Sequence, residues 1–406
     1  TTPPPHLPQL PHPKTSGHLN ESALLEFATG KIAPVFGPDY AEIDTYPNRI
    51  RLPMPPYLFV SRVTRLEAER GAFKPCFIET EYDIPADAWY AVDGQVPAAI
   101  FVEASQGNIV LISYLGIDFE IKGHRSFRAL DGTIKFVGET PKAGETFRCE
   151  VRINSFTRGS GTVLYFYNCD YFVGDRKFLE LKAGAGFFTE KELRKAPGVT
   201  LTKQELAARG KIQKQQFTPL LSCPKVAFSE QDLIHLSAGN LAACFGPDYG
   251  PQQAQNPSLR FPSSAFRTTD RVLAVNPSGG DWGLGVLVAE KDLHPEQWYF
   301  NCHFKDDYCM PGTVVGEGAA QLLQFYLLYL GLQTRTTQGR FHPIPNLTQS
   351  SRSRGQVTPT VGTLVYQLEV FEIGLEPTPF IKAEATVKFK GKTISMIKNL
   401  GIQLLE

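Results

Sequence analysis

The five residues FGPDY occur twice in this chain, at positions 36–40 and again at positions 245–249. The same spacing of 209 residues relates the Trp-Tyr pair at 89–90 to the Trp-Tyr pair at 298–299. A register kept over so many positions is not a chance match, and the period exceeds the roughly 20–50 residues of solenoid repeats. We therefore expect two copies of one domain in a single chain.

The boundaries of these copies follow from composition. Residues 190–222 are polar and separate the copies, which is typical of a linker. We expect an N-terminal unit at 19–189 and a C-terminal unit at 223–406. Residues 1–18 are rich in proline, so we interpret them as an extended linker.

Each copy has the same coarse order of a leading helix, strands, a central helix and long alternating strands. Apolar and polar residues alternate at 381–389 and again at 147–153, which is typical of half-buried antiparallel strands. The segment that begins near Gly312 is apolar on nearly every face of a helix, as expected if a curved sheet wraps around it. The predicted fold class is α+β: a double hot-dog, in which two antiparallel sheets, each around one central helix, join side by side.

The charge balance argues against two classes of partner. The chain has 41 basic and 41 acidic residues, so no overall field favours nucleic acid or an anionic membrane. The longest apolar run, at 319–332, contains two glutamines and is shorter than the roughly 20 residues that a membrane span needs. We expect neither a nucleic-acid partner nor a membrane span.

The cysteines indicate the redox environment. There are seven, an odd number, and they form no CxxC pair. They are Cys76, Cys149, Cys169, Cys223, Cys244, Cys302 and Cys309. This pattern favours reduced thiols in a cytoplasmic protein.

The stretch at 298–321, WYFNCHFKDDYCMPGTVVGEGAAQ, places a histidine, a Pro-Gly turn and a glutamate at the opening of an apolar helix. His303 can accept a proton, a carboxylic acid such as Glu317 can protonate a leaving hydroxyl, and N–H groups from Gly312 onward can hold an enolate-like oxygen. A single histidine is more often a satisfied polar group on a strand or loop. Here the small residues that follow leave space for a substrate, and the combination suits proton abstraction beside a thioester carbonyl.

The same stretch resembles the signature of the bacterial β-hydroxyacyl-ACP dehydratases of the dehydratase/isomerase type. That signature is CHF, an acidic residue, MPG, and then an acid and a glutamine on the helix. This chain has CHF at 302–304, acids at 306–307, MPG at 310–312, Glu317 and Gln321. The upstream segments DRV, GGDWGLG and AEK also resemble that family, and the doubled unit resembles the dehydratase regions of polyunsaturated fatty acid synthases.

The resemblance implies a syn elimination of water from a 3-hydroxyacyl chain, carried on the phosphopantetheine arm of an acyl carrier protein, to give the trans-2-enoyl product. His303 would remove the C2 proton, and the Gly312 N–H would polarise the thioester carbonyl. A buried carboxylic acid with a raised pKa would protonate the departing hydroxyl. Gln321 and Gln106 are the further substrate-binding candidates, and isomerisation to a cis-3 alkene is left open. The resemblance implies no metal or organic cofactor. It implies an acyl carrier protein and neighbouring synthase domains as partners.

Repeat one departs from this pattern. No histidine lies between Trp89 and Pro97, so repeat one has no base of its own. It keeps an acid, Glu103, six residues after Pro97, just as Glu317 lies six residues after Pro311.

In the family, each active site takes its histidine from one hot dog and its acid from the neighbour. The resemblance therefore implies that His303 faces Glu103, and that Glu317 faces a site without a base. The match is approximate, because Glu103 lies three residues before Gln106 whereas Glu317 lies four before Gln321. Both glutamates remain candidates for the acid.

Two other functions stay open on the residues alone. A hot-dog acyl-ACP thioesterase would use a similar carboxylate on the same helix, and would release a free acid instead of an enoyl thioester. A non-catalytic acyl-ACP-binding or scaffolding module is the interpretation that repeat one alone would support. The internal pair already supplies two hot-dog units, so further oligomerisation is left open.

Several neighbouring residues have simpler interpretations. Cys302 is adjacent to His303, and on an extended strand the two would point to opposite sides, so we expect Cys302 to be a packing residue. The repeated Trp89 and Trp298 are expected to pack in the core or between repeats.

Between residues 333 and 356 there are four arginines and no acid, which predicts a solvated loop or a docking surface for an acidic carrier protein. The four are Arg335, Arg340, Arg352 and Arg354.

Overall fold

The computed structural model describes residues 19–159, 162–262 and 265–406. The predicted linker at 1–18 lies outside these residues. Long strands with alternating burial dominate both halves of the described chain. The strands are β1 (Arg62–Glu67), β2 (Cys76–Asp83), β3 (Ser126–Phe136), β4 (Thr146–Gly159), β5 (Thr162–Val173), β6 (Arg176–Phe188), β7 (Arg271–Asn276), β8 (Val286–Leu293), β9 (Arg340–Pro343), β10 (Thr348–Ser353), β11 (Gly362–Gly374), β12 (Phe380–Phe389) and β13 (Lys392–Leu405).

All strand pairs are antiparallel and belong to one sheet with the order β1-β2-β4-β5-β6-β3-β10-β13-β12-β11-β8-β7, with β9 paired to the end of β13. The order is symmetric about its centre, because β1, β2, β4, β5, β6 and β3 occupy the places of β7, β8, β11, β12, β13 and β10. The two halves therefore repeat one topology and meet where β3 pairs with β10. This is the predicted double hot-dog.

Several helices, among them the central ones, pack against this sheet. The helices are α1 (Glu21–Thr29), α2 (Ala33–Phe36), α3 (Ala98–Glu103), α4 (Gly107–Tyr114), α5 (Asp118–Ile121), α6 (Glu190–Arg194), α7 (Lys203–Arg209), α8 (Glu230–Ser237), α9 (Leu241–Phe245), α10 (Gly250–Gln255), α11 (Trp298–Cys302) and α12 (Gly312–Tyr329). The central helix of the second half is α12, most of which is buried. Its Gly318 permits close packing, since a Cβ there would lie 2.4 Å from the ring of Tyr366 on β11. In the first half the central helix is split into α3 and α4.

The repeated FGPDY motif fixes the far end of each central helix. In both copies its Pro-Asp-Tyr forms a short 3₁₀ helix after a glycine with positive φ. Tyr40 donates a hydrogen bond to the carbonyl oxygen of Tyr114 at the end of α4, and Tyr249 donates one of 2.6 Å to Tyr329 at the end of α12. The motif repeats because each helix end needs a donor for an unpaired carbonyl.

The arginine-rich segment at 333–356 corrects the prediction of a solvated loop. It contains β9 and β10, and β10 is the strand that joins the halves. Arg352 pairs with Glu205 at 3.0 Å and Arg354 with Asp131 at 2.9 Å. β10 has the sequence TQSSRS, so the apolar alternation that signals a half-buried strand is missing and the sequence did not reveal it.

The segment at 190–222 contains the two short helices α6 and α7. Arg209, at the end of α7, pairs with Glu384 of β12 and with Glu369 of β11. The segment is therefore docked on the second half through ion pairs. Within the described ranges, none of the helices combines the length and apolar character that crossing a bilayer requires.

Candidate active site

His303 lies directly after α11, where it forms the C-cap of that short helix. Its backbone N–H donates to the carbonyl oxygen of Tyr299 at 3.1 Å, and its own carbonyl oxygen accepts from Cys309 N at 2.7 Å. Its ring nitrogen Nδ1 lies 2.9 Å from the carbonyl oxygen of Cys309. A carbonyl oxygen can only accept, so Nδ1 carries the hydrogen and Nε2 is the basic nitrogen.

The position of Cys302 corrects one premise of the sequence argument. Cys302 is the last residue of α11 and not part of an extended strand. Its side chain is nevertheless buried, and burial raises the pKa of the thiol to about 12. A thiol that stays protonated is a poor nucleophile, so Cys302 remains a packing residue.

Glu103 faces His303 across the two halves of the chain. Its Oε1 lies 4.0 Å from Nε2 of His303 and accepts a hydrogen bond of 3.3 Å from Gln106. Its other oxygen, Oε2, accepts one of 2.6 Å from the hydroxyl of Thr313 on α12. The structure thus brings His303 of repeat two next to Glu103 of repeat one, which is the arrangement that the cross-repeat prediction expects.

Burial sets the protonation of both groups in the direction that acid–base chemistry needs. Loss of solvent lowers the pKa of His303 to about 4, and the nearby Arg128 guanidinium adds to this, while the Cys309 carbonyl opposes it. Desolvation raises the pKa of Glu103 to about 7, against the hydrogen bonds from Thr313 and Gln106. Near neutral pH the imidazole is therefore a free base, and a substantial fraction of Glu103 is an acid with a proton to donate.

The loop that follows His303 is anchored to both halves of the chain. Arg128 on β3 makes two hydrogen bonds of 2.7 Å to the carboxylate of Asp307, and it also donates to Gln356. Met310 N donates to the carbonyl oxygen of Val357 at 2.8 Å. A bidentate pair between planar groups fixes orientation, so this bond holds the His303 loop in place.

A cavity of about 380 Å³ connects these groups. It is lined by His303, Glu103, Gly312 and Thr313, and also by Glu317. Gly312 is the first residue of α12, where a backbone N–H has no intrahelical partner. A Cβ added at Gly312 would meet no protein atom within 4 Å. The helix start therefore presents an N–H and open space to a ligand, as an oxyanion site requires.

Glu317 occupies the equivalent place in the other half. Its side chain is buried, its Oε1 accepts a hydrogen bond of 3.0 Å from Gln321, and desolvation raises its pKa to about 7. Both ends of Gln321 are used, since its Nε2 also donates to the Phe266 carbonyl and its Oε1 accepts from Thr268 N. Gln321 supports the glutamate and is not among the residues that line the described cavity.

Gln106 makes the same pattern of bonds in repeat one. Its Nε2 donates to the Tyr57 carbonyl and its Oε1 accepts from Phe59 N, each at 2.9 Å. Tyr57 and Phe59 lie 209 positions before the residues that hold Gln321. The residues from Ala104 to Gln106 form a 3₁₀ turn, which needs about three residues per turn, so a glutamine three residues after Glu103 reaches the same place. The one-residue gap between the repeats is thereby explained.

Sequence reasoning missed the hydroxyl groups at this site. The hydroxyl of Tyr57 lies 2.8 Å from Oγ1 of Thr313, which in turn holds Glu103. A comparison of the two repeats could have revealed these hydroxyls, because Tyr57 aligns with Phe266 and Thr313 aligns with Ala99, and neither of those has a hydroxyl.

Trp89 and Trp298 contact each other, with ring centroids 5.1 Å apart, so they pack between the repeats.

Residues 261–398 match the model of the FabA-like domain. The chain is also 37% identical over 391 residues to one of the proteins that make up a polyunsaturated fatty acid synthase in a Thraustochytrium species. The match covers 93% of this chain and 26% of that synthase protein, so the chain spans about a quarter of its relative.

Solved structures with similar shapes are more distant. The dehydratase domain from the CurJ module of the curacin polyketide synthase is 9% identical, with a TM-score of 0.44 and coverage of 86% of this chain and 96% of that one. An acyl-ACP thioesterase from Bacteroides thetaiotaomicron is 8% identical, with a TM-score of 0.41 and coverage of 81% and 98%. With scores this low, neither likeness bears on function. The family match confirms the resemblance predicted from the sequence: residues 261–398 match the FabA-like domain, within a chain that is similar to part of a polyunsaturated fatty acid synthase protein.

Proposed function

We propose that this chain is a dehydratase that removes water from 3-hydroxyacyl chains carried on an acyl carrier protein, within a fatty acid or polyketide-type synthase. The family match and the related synthase protein support this function. The observation that carries it is the 4.0 Å separation of His303 Nε2 and Glu103 Oε1 at the wall of one cavity. A base and an acid so placed can reach the C2 proton and the C3 hydroxyl on the same side of a substrate.

The mechanism follows from the protonation states. The neutral imidazole of His303 takes the C2 proton at Nε2, and its Nδ1–H stays on the Cys309 carbonyl, which stabilises the imidazolium that forms. The N–H at the start of α12 polarises the thioester carbonyl at Gly312. Protonated Glu103 gives its proton to the C3 hydroxyl, which leaves as water while the C2–C3 double bond forms.

The remaining features of the proposal come from the sequence. No metal or organic cofactor takes part in these steps, because acid, base and oxyanion donor all come from the chain. The partners are an acyl carrier protein and neighbouring synthase domains. The unit boundaries at 19–189, 190–222 and 223–406, the cytoplasmic location and the isomerisation to a cis-3 product stay predictions.

A thioesterase is disfavoured by the family match, and by a base that stands beside the acid. A non-catalytic acyl-binding module has no use for a histidine held with Nε2 free of hydrogen and aimed at a buried glutamic acid. Both remain outcomes that the following measurement can detect.

Mass spectrometry of 3-hydroxyacyl-ACP incubated with the chain tests the proposal. We expect a loss of about 18 Da with the thioester intact, absent in His303→Ala because the base is missing. His294→Ala removes an exposed histidine and serves as the matched control, with activity retained. Release of free acid would indicate a thioesterase, and bound but unchanged acyl-ACP over a range of chain lengths would indicate a binding module.

A further inference from the structure

Two hydroxyl groups connect the buried interior to the glutamate that faces His303. The hydroxyl of Tyr57 lies 2.8 Å from Thr313 Oγ1, and Thr313 Oγ1 lies 2.6 Å from Glu103 Oε2. Tyr57 is fully buried, and Thr313 is the second residue of α12. These two hydrogen bonds form a hydroxyl chain that runs from Tyr57 of repeat one to Thr313 of repeat two and back to Glu103 of repeat one.

The direction of these hydrogen bonds follows from counting hydrogens. A hydroxyl has one hydrogen to donate. Among the described residues, Thr313 is the one hydrogen-bond partner of the Tyr57 hydroxyl. If Tyr57 did not donate to Thr313, its O–H would be buried without an acceptor, at a cost of about 1–3 kcal/mol. Tyr57 therefore donates to Thr313, and Thr313 donates its own hydrogen to Oε2 of Glu103.

This direction decides which carboxyl oxygen holds the proton. Oε2 accepts the short bond of 2.6 Å from Thr313, whereas Oε1 accepts only the longer bond of 3.3 Å from Gln106. The more strongly bonded oxygen keeps the acceptor role, so the proton of neutral Glu103 lies on Oε1. Oε1 is the atom 4.0 Å from His303 Nε2. The hydroxyl chain thus presents the transferable proton on the side of the base.

The two equivalent positions in the other half of the molecule carry no hydroxyl. Phe266 stands at the place of Tyr57, and Ala99 stands at the place of Thr313. Glu317 nevertheless keeps its supporting glutamine, with the same backbone bonds as Gln106. Support by glutamine is common to both halves, whereas among the described residues the hydroxyl chain occurs beside Glu103 and His303.

We propose that Thr313, held by Tyr57, is a positioning residue that fixes Glu103 with its proton on Oε1, facing His303. The inference rests on the proposed dehydratase function. Thr313 acts through Glu103, so its loss affects the chemical step more than substrate binding.

Three variants test the role of the hydroxyls. Thr313→Val keeps the shape and removes the hydroxyl; we expect kcat to fall about 10- to 100-fold with KM within about twofold, because the acid is misplaced only for the chemical step. Thr313→Ser restores the hydroxyl and should return kcat to within about threefold of the parent. Tyr57→Phe gives this position the phenylalanine that the other half carries at 266, and should lower kcat about 3- to 10-fold. Thr200→Val, at an exposed threonine of the linker, is the matched control.

A second readout does not depend on turnover. We expect ¹³C NMR of labelled glutamate, with the Glu103 signal assigned through Glu103→Gln, to show a higher pKa of Glu103 in Thr313→Val. The sign follows because the Thr313 hydrogen bond stabilises the carboxylate and lowers its pKa. An unchanged kcat together with an unchanged Glu103 titration in Thr313→Val would overturn the inference. An inert parent chain would refute the proposed dehydratase while leaving the titration to decide the hydrogen bond.

Discussion

The chain holds two buried glutamates in equivalent places, and only one of them faces a base. Glu103 and Glu317 are each supported by a glutamine, and desolvation raises the pKa of each to about 7. Beside Glu103 lie the imidazole of His303 and the hydroxyl chain of Thr313 and Tyr57. In the other half, Ala99 and Phe266 stand at the positions of those two hydroxyl residues. A perturbed pKa therefore does not identify the working acid here. What distinguishes the two sites is the set of groups placed against each carboxyl.

The largest expected difference between the two halves is the effect of replacing each glutamate. Glu103→Gln removes the proton donor, and we expect the rate of enoyl-ACP formation to fall about 10²- to 10⁴-fold. Glu317→Gln keeps a side chain of the same shape in the other half, and should stay within about threefold of the parent. Initial rates measured by mass spectrometry check this, provided that both variants have the melting temperature of the parent. The reverse ranking would contradict the cross-repeat site.

The first residue of each central helix offers a second contrast. Gly312→Ala places a methyl group in the open space beside the helix N-terminus, where the thioester oxygen has to lie, and should lower kcat/KM about 10-fold. Ala98→Gly makes the opposite change at the equivalent position of repeat one, and should alter kcat/KM less than about twofold. Equal effects would show that both helix starts bind the thioester.

The pH dependence separates the same two acids. The proposed mechanism needs neutral His303 and protonated Glu103, so it predicts a bell-shaped kcat/KM that falls as pH drops through about 4 and as it rises through about 7. Because Glu317 has a similar pKa, its own titration has to be removed: in Glu317→Gln the limb near pH 7 should persist. A limb that disappears in this variant would assign it to Glu317.

The smallest expected difference concerns stability. Gln106→Ala and Gln321→Ala each leave two backbone groups without their partner and remove one hydrogen bond from a glutamate, so each should reduce the free energy of unfolding by about 1–3 kcal/mol. Urea unfolding measures this. Only Gln106→Ala should also lower turnover, since Gln106 holds the working acid. A rate loss confined to Gln321→Ala would reverse the assignment of the two halves.

The doubled architecture could be predicted because repeated residues perform repeated structural tasks. The tyrosine of FGPDY pins a helix end in each half, so the motif and its spacing are kept together. The meeting of His303 with Glu103 could also be predicted, since the histidine is missing from one repeat and the family exchanges acids between hot dogs.

Other parts of the site lay beyond sequence reasoning. The contact of Arg128 with Asp307 joins residues 179 positions apart, and no periodicity marks it. The joining strand β10 was not predicted because its residues, TQSSRS, are all polar and show no apolar alternation. Tyr57 and Thr313 were detectable in principle, as hydroxyls that repeat one and repeat two do not share. Their meaning needed the geometry, because a hydroxyl beside a glutamate is visible only in three dimensions.

The most direct test is a crystal structure of the His303→Ala variant with a 3-hydroxyacyl pantetheine in which an amide replaces the thioester. The account predicts the C3 hydroxyl within hydrogen-bond distance of Glu103 Oε1, and the amide carbonyl on the N–H of Gly312. A ligand whose hydroxyl instead contacts Glu317 would contradict the claim that the two halves share one active site.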